Sequence, residues 1–206
     1  MSRLRPVYGL RPNKTCDSVF LDSFLWKDYY KVKCAVSEDR AALWLMEKDG
    51  ILSSAMPLCK EEDLPHFFYQ MVDYFDNVLH KPFYISLADA EAVEYLDLDP
   101  KKFEVTELDD LKDYLYDGNA MRTLAGKKLH KKKNHVNGYM KAYGEDSRTL
   151  NGEIIPQVLD PHNDWFKLRE FENYPSLLAE SDVVCSVLRN WDALPGLIGG
   201  ALYVGG

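Results

Sequence analysis

Apolar positions along this chain follow two different rhythms. Three short runs come first, "YYKVKCAVS", "AALWLME" and "ILSSAMP", and they predict antiparallel strands between about Tyr30 and Pro57. Asp49-Gly50 separates the last two and marks a tight hairpin, because both central residues of the favoured turn take positive φ. The rhythm then changes. Leu64, Phe67, Phe68, Met71, Phe75, Val78 and Leu79 recur at helical spacing and predict an amphipathic helix with a broad apolar face. Asp63 stands where an N-cap belongs, and Pro65 fits the first turn, where its missing N–H costs nothing. The aromatics on this face read as core rather than as a ligand box.

Further along, "KPFYISL" predicts a strand, "DAEAVEYL" a short helix, and "KKFEVTEL" and "KDYLYD" two more strands. The segment from about Asn119 to Tyr143 predicts a helix, although Gly126 and Gly138 each weaken it by about 1 kcal/mol relative to Ala. "RTLNGEII" reads as a strand with a turn at Asn151-Gly152, and "QVLDPHNDWFK" as a loop opening towards a helix. "YPSLLAESDVVCSVLRNW" is a second helical stretch and "GLIGGALYVGG" a final strand. Strands alternating with helices predict an α/β (α+β) fold, a mixed sheet with helices laid against it.

Composition narrows the class. With 206 residues, 46% hydrophobic and 28% charged, the chain reads as a soluble globular protein of one large or two small domains. Its 13 Tyr and 9 Phe speak against disorder. No run approaches the roughly 18 apolar residues that span a bilayer, and the opening "MSRLRPVYGLRPNK" lacks the apolar core of a secretory leader. We therefore expect a cytoplasmic protein with no membrane span. Cys16, Cys34, Cys59 and Cys185 have no close pair and read as free thiols, not zinc ligands. No cofactor is expected.

Charge changes the picture more. The formal net charge is -8, which argues against general coating of nucleic acid or membrane, so any such contact is local. From Asp89 to Asp117 eleven acids face three lysines, whereas from Met121 to Tyr143 there are seven Lys/Arg and no acid. Five lysines, Lys127, Lys128, Lys131, Lys132 and Lys133, fall within seven positions. Wound as a helix, Leu129, Val136, Tyr139, Met140 and Tyr143 share one arc, with His130, Lys131, Asn134, His135, Asn137 and Lys141 opposite. Lys132 and Lys133 fall inside the apolar arc, so they either snorkel along a sheet rim or turn into a groove holding phosphate or carboxylate, with Asn134 and His135 as hydrogen-bond donors. His130 and His135 lie five residues, about 140°, apart and cannot share a metal as an i, i+4 pair does, so no metal site is expected. His135 has an unperturbed pKa of about 6.5, suited to acid–base work.

"LAGKKLHKKKNHVNGYMKAYG", preceded by "YLYD", resembles the signature of the phosphatidylglycerol lysyltransferase C-terminal domain family. Gly126, Lys127, Lys128, His130, Lys132, Lys133, Asn134, His135, Val136 and Asn137 stand at its positions. "DSVFLDSFLWKDYYKVKCAV", with Phe24, Trp26 and Tyr30, is similar to the family's aromatic N-terminal stretch, and "LPGLIGGALYVGG" resembles a later strand. The resemblance implies two acetyltransferase-like (GNAT) folds in tandem: 1–118 the first, 119–144 a basic linking helix, 145–206 the start of the second. Members attached to a membrane domain transfer lysine or alanine from aminoacyl-tRNA to phosphatidylglycerol; others stand free of membrane segments, and this chain is similar to those. A second fold stopping near Gly206 is read as cut short, without its donor site, and its open sheet edge as a route to self-association.

The activity so implied is that of a GNAT-like aminoacyl or acyl transferase relative with a phosphorylated donor, possible aminoacyl-tRNA. Lys127, Lys128, Lys131, Lys132 and Lys133, with His130 and Asn137, would hold phosphates, and Asn134 and His135 would orient the acyl or amine group. A non-catalytic tRNA- or anion-binding module is the alternative. In a third reading the lysines merely balance the acidic block upstream.

Overall fold

The computed structural model describes residues 4, 6–10, 19–168, 174–194 and 196–204, and the chain divides into two compact units, Met1–Leu111 and Lys112–Gly206. Cys16, Gly205 and Gly206 lie outside the described residues. It is a mixed α/β protein with antiparallel sheets flanked by helices.

In the first unit, α1 (Phe20–Leu25) precedes a sheet of β1 (Lys33–Ser37), β2 (Ala41–Lys48), β3 (Ile51–Ser53) and β4 (Leu58–Cys59). β1 pairs antiparallel with β2 from Lys33↔Leu45 to Ser37↔Ala41. β3 and β4 pair with the two ends of β2, through Lys48↔Ile51 and Ala42↔Leu58. The β2–β3 hairpin turns at Asp49 (φ 51) and Gly50 (φ 79), the left-handed pair that the dipeptide predicts.

β2 explains its own apolar run. Ala41 and Leu43 join Leu64, Phe67, Phe68, Met71 and Phe75 in one core cluster, whereas Ala42 and Trp44 pack with Val7 and Leu58 in a second. Alternate side chains point to opposite faces, and both faces are covered, so polar alternation disappears. Phe67 and Phe75 are fully buried, each contributing about 1.5–3 kcal/mol of burial free energy.

The predicted helix forms as α2 (Leu64–Asp73) and runs on as a π-helical turn, Tyr74–Leu79, ended by His80 in the left-handed region. Along that wider turn Phe75 is buried and Leu79 packs half-buried on the core, but Val78 is rotated outward and exposed. Pro65 sits in the first turn as expected. Asp63 does not cap the helix; its carboxylate pairs instead with Arg40. α3 (Ala90–Leu96) forms where predicted, with the Asp89 side chain accepting from the Ala92 N–H at 2.9 Å.

Three expected strands do not form. "KPFYISL" makes only a single bridge, Ser54↔Ile85, with the Ser54 N–H donating to the Tyr84 carbonyl at 2.8 Å. "KKFEVTEL" and "KDYLYD" are irregular, interrupted by the 3-10 turn Asp109–Leu111, and Tyr114 and Leu115 are 89% and 97% exposed. A strand needs a neighbour to satisfy its backbone, and no ladder receives these segments.

The second unit contains α4 (Gly118–Thr123), α5 (His130–Tyr143), β5 (Ser147–Thr149), α6 (Ile155–Lys167), α7 (Pro175–Arg189) and β6 (Gly200–Leu202). β6 is the core of the expected final strand, whereas β5 takes in only the first two residues of "RTLNGEII", whose remainder turns into α6; the two pair antiparallel from Ser147↔Leu202 to Thr149↔Gly200. At the predicted Asn151-Gly152 turn the Asn151 side chain accepts from the N–H groups of Glu153 and Ile154. The chain then enters a helix, not a loop. α6 holds Pro156 in its first turn and tolerates Pro161 inside, because Ile155, Val158, Leu159, His162 and Phe166 lie on one inner face at helical spacing. α7 stands where predicted and packs along α6. Gly199 is required by close approach: a Cβ there would stand 2.7 Å from both Leu150 Cδ1 and Trp191 Cη2.

Candidate anion-binding site

The basic segment is two helices with a sharp bend between them. Asp117 starts α4 by accepting from the Ala120 N–H at 2.7 Å. Leu124 (φ 48) stops it in the left-handed region, and Gly126 (φ 91, ψ 161) carries the chain through a conformation open essentially to glycine. One 3-10 turn, Lys127–Leu129, leads into α5, which ends at Gly144 (φ 74). Gly138 stays within α5.

The bend leaves an open hollow of about 400 Å³ lined by Leu124, Ala125, Gly126, Lys127, His130, Lys131 and Lys133. Lys127, His130 and Lys131 reach it together because residues at i, i+3 and i+4 share a helix face. The Asn134 amide nitrogen lies 3.4 Å from His130 Nδ1.

Of the residues expected to bind anions, Lys127, His130, Lys131 and Lys133 line the hollow, Asn134 touches one of them, and Lys128, Lys132, His135 and Asn137 do not line it. All nine are exposed. Of the two lysines on the expected apolar arc, Lys133 borders the hollow, whereas Lys132 stands exposed away from it. No residue of α5 is buried, and the intended core stripe is itself open, with Val136, Met140 and Tyr143 exposed. Among the described residues none of the five lysine ammonium groups forms an ion pair, whereas Arg148 beyond α5 is paired with Asp146. A compact row of unpaired cations in water repels itself, by about 0.7 kcal/mol per pair 6 Å apart, so its charge is available to an external anion.

One residue escaped sequence reasoning. Tyr139 reads as part of the apolar arc, and its ring does pack on Tyr143 at 5.3 Å between centroids. Its hydroxyl, however, is enclosed without a hydrogen-bond partner among the described residues. Nothing in the periodicity distinguishes a phenol from a phenyl ring.

The profile of one family, phosphatidylglycerol lysyltransferase C-terminal, matches residues 9–206. The chain belongs to that family. The chain is similar in fold to a solved structure, a conserved protein of unknown function from Bacteroides thetaiotaomicron VPI-5482. The two share 23% identity with a TM-score of 0.87, over 100% of this chain and 70% of the other. No curated protein matches the chain. Among the described residues, no helix is long and apolar enough to cross a membrane.

Proposed function

We propose that the chain is an aminoacyl- or acyl-transferase-related module whose basic segment holds the phosphates of an anionic donor, with aminoacyl-tRNA as the donor class. The observation that carries this reading is the hollow at the head of α5, bordered by three unpaired lysines and His130. Membership of the lysyltransferase family supplies the reaction class. Lys127, Lys131 and Lys133 take phosphates at the hollow, and Lys128 and Lys132 extend the cationic track around the helix. Phosphate contacts of this kind fix register and orientation rather than sequence. Asn134 and His130 form the polar rim at which the acyl or amine group is oriented, and His135, on the adjoining flank, is a second imidazole of the kind that serves as a proton acceptor. Aminoacyl transfer from an ester to an amine can be direct: positioning and a proton acceptor suffice, and no covalent enzyme intermediate is needed.

The test measures binding of charged tRNA to the wild type and to Lys132→Ala/Lys133→Ala at two salt concentrations, beside their melting temperatures. Lost affinity with an unchanged melting temperature supports an anion site; a lowered melting temperature with unchanged affinity returns the lysines to a structural role. A transfer assay with radiolabelled aminoacyl-tRNA, repeated with His130→Ala and His135→Ala, separates transferase from binding module. Binding without product in every acceptor tried supports the non-catalytic reading.

A further inference from the structure

We propose, building on the phosphate role of the basic segment, that Tyr114 and Tyr116 clamp an unpaired nucleobase of the strand held there. A nucleic acid with a single-stranded end is then the partner. "KDYLYD" has the alternation of a strand, with both tyrosines on one side and Leu115 on the other. Side chains two apart in an extended chain stand roughly 6.6 Å from each other. The two rings keep that spacing: their centroids lie 6.5 Å apart and their planes are within 17° of parallel. They do not cover each other, since Tyr114 is 89% and Tyr116 57% exposed. Stacked bases repeat about every 3.4 Å, so one base between two rings takes up roughly 6.8 Å. The spacing suits one base.

Among the described residues, neither ring belongs to a core cluster. Other exposed rings lean on neighbours, Tyr69 on Phe68 and Phe103, and Tyr143 on Tyr139. A pair of aromatic faces open to water can stack a base whatever its identity, because every base has a π-face. Asp113 and Asp117 flank the pair and repel phosphate, so the neutral base, not the backbone, is what this segment accepts. The phosphates lie on the lysines instead: Lys127 follows Tyr116 by eleven residues, with α4 between them, in the same compact unit. Bases inside a duplex are already paired and stacked, whereas those of a single-stranded end can splay onto aromatic rings.

Two RNA hairpins test the clamp against the full chain by fluorescence anisotropy: one ends in a single-stranded extension carrying a fluorescent base analogue, the other ends blunt. We expect the wild type to prefer the extended hairpin and to quench the analogue. Tyr114→Ala/Tyr116→Ala should weaken that binding by roughly 5- to 150-fold, the range for one stacked base, and abolish the quenching. Its affinity for the blunt hairpin, its salt slope and its melting temperature should stay as in the wild type, because no phosphate contact and no buried group is removed. Tyr114→Phe/Tyr116→Phe keeps both rings and should keep preference and quenching. Equal wild-type affinity for the two hairpins, or an alanine variant that binds and quenches like the wild type, overturns the clamp while blunt-hairpin binding leaves the phosphate site standing. Binding of neither hairpin overturns both. Free adenosine monophosphate that competes as well as the extended hairpin assigns the rings to a mononucleotide and overturns the strand as partner.

Discussion

Replacing Lys127, Lys131 and Lys133 together by Ala removes the three ammonium groups that line the hollow and leaves Lys128 and Lys132 in place. The magnitude follows from counterion release, in which each phosphate neutralised contributes about 0.9 to the log–log slope of affinity against salt on duplex nucleic acid. Five contacts give a slope of about -4.5, so raising salt from about 50 to about 200 mM lowers affinity roughly 500-fold. Two remaining contacts give a slope of about -1.8 and a loss of only about 12-fold. Fluorescence anisotropy with labelled tRNA acceptor-stem duplex measures both slopes. All five lysines are exposed and unpaired among the described residues, so the variant loses no contact and, with the cation repulsion relieved, should melt at or above the wild type. A triple variant with the wild-type slope refutes the reasoning, because the phosphates must then be held elsewhere.

Other outcomes follow from local geometry. Gly126→Ala places a Cβ at φ 91 and should destabilise the second unit by about 1–3 kcal/mol, seen as a lower melting temperature and weaker tRNA binding together. Tyr139→Phe removes an enclosed hydroxyl that has no partner among the described residues, so stability should hold or rise by about 1 kcal/mol in chemical denaturation. The Arg148 guanidinium holds the Asp146 carboxyl below its usual range, so the pair stabilises the fold above the ordinary aspartate value of about 3.9 and is lost as pH falls through the folded value; Asp146→Asn should flatten the acid limb of melting temperature against pH. Cys34 is exposed, yet partial desolvation by its neighbours pushes the thiol up to about 11, so its alkylation at pH 8, followed by peptide mass spectrometry, should run slower than that of an ordinary thiol and rise steeply in more alkaline buffer.

Local signals proved legible where one segment contains its own cause. Asp49-Gly50 specifies a turn by its own φ values, and the α2 face is visible in seven residues. What depends on a distant partner is not visible. "KDYLYD" has the alternation of a strand but no ladder to enter, and Asp63 looks like a cap until Arg40 arrives from 23 residues away. "QVLDPHNDWFK" reads as a loop, yet α6 forms there and accommodates Pro161 through its packing on α7, where His162 Nε2 meets Ser181 Oγ at 3.0 Å. For the candidate site, the sequence revealed the cations and their clustering. It could not separate Lys133, which borders the hollow, from Lys132, which does not, because a helical wheel assigns a core side only if something packs on it, and no α5 residue is buried. The bend at Leu124–Gly126, which creates the hollow, was visible only as a weakness at one glycine.

The central claim is that the cations at the head of α5 are held free for a phosphorylated partner. Lysine footprinting tests it most directly: the chain is acetylated briefly with and without saturating aminoacyl-tRNA, and each lysine is quantified by mass spectrometry. We predict strong protection of Lys127, Lys131 and Lys133, with exposed Lys101 and Lys102 of the first unit unchanged. Equal labelling of all five in both conditions, or protection confined to the first unit, contradicts it.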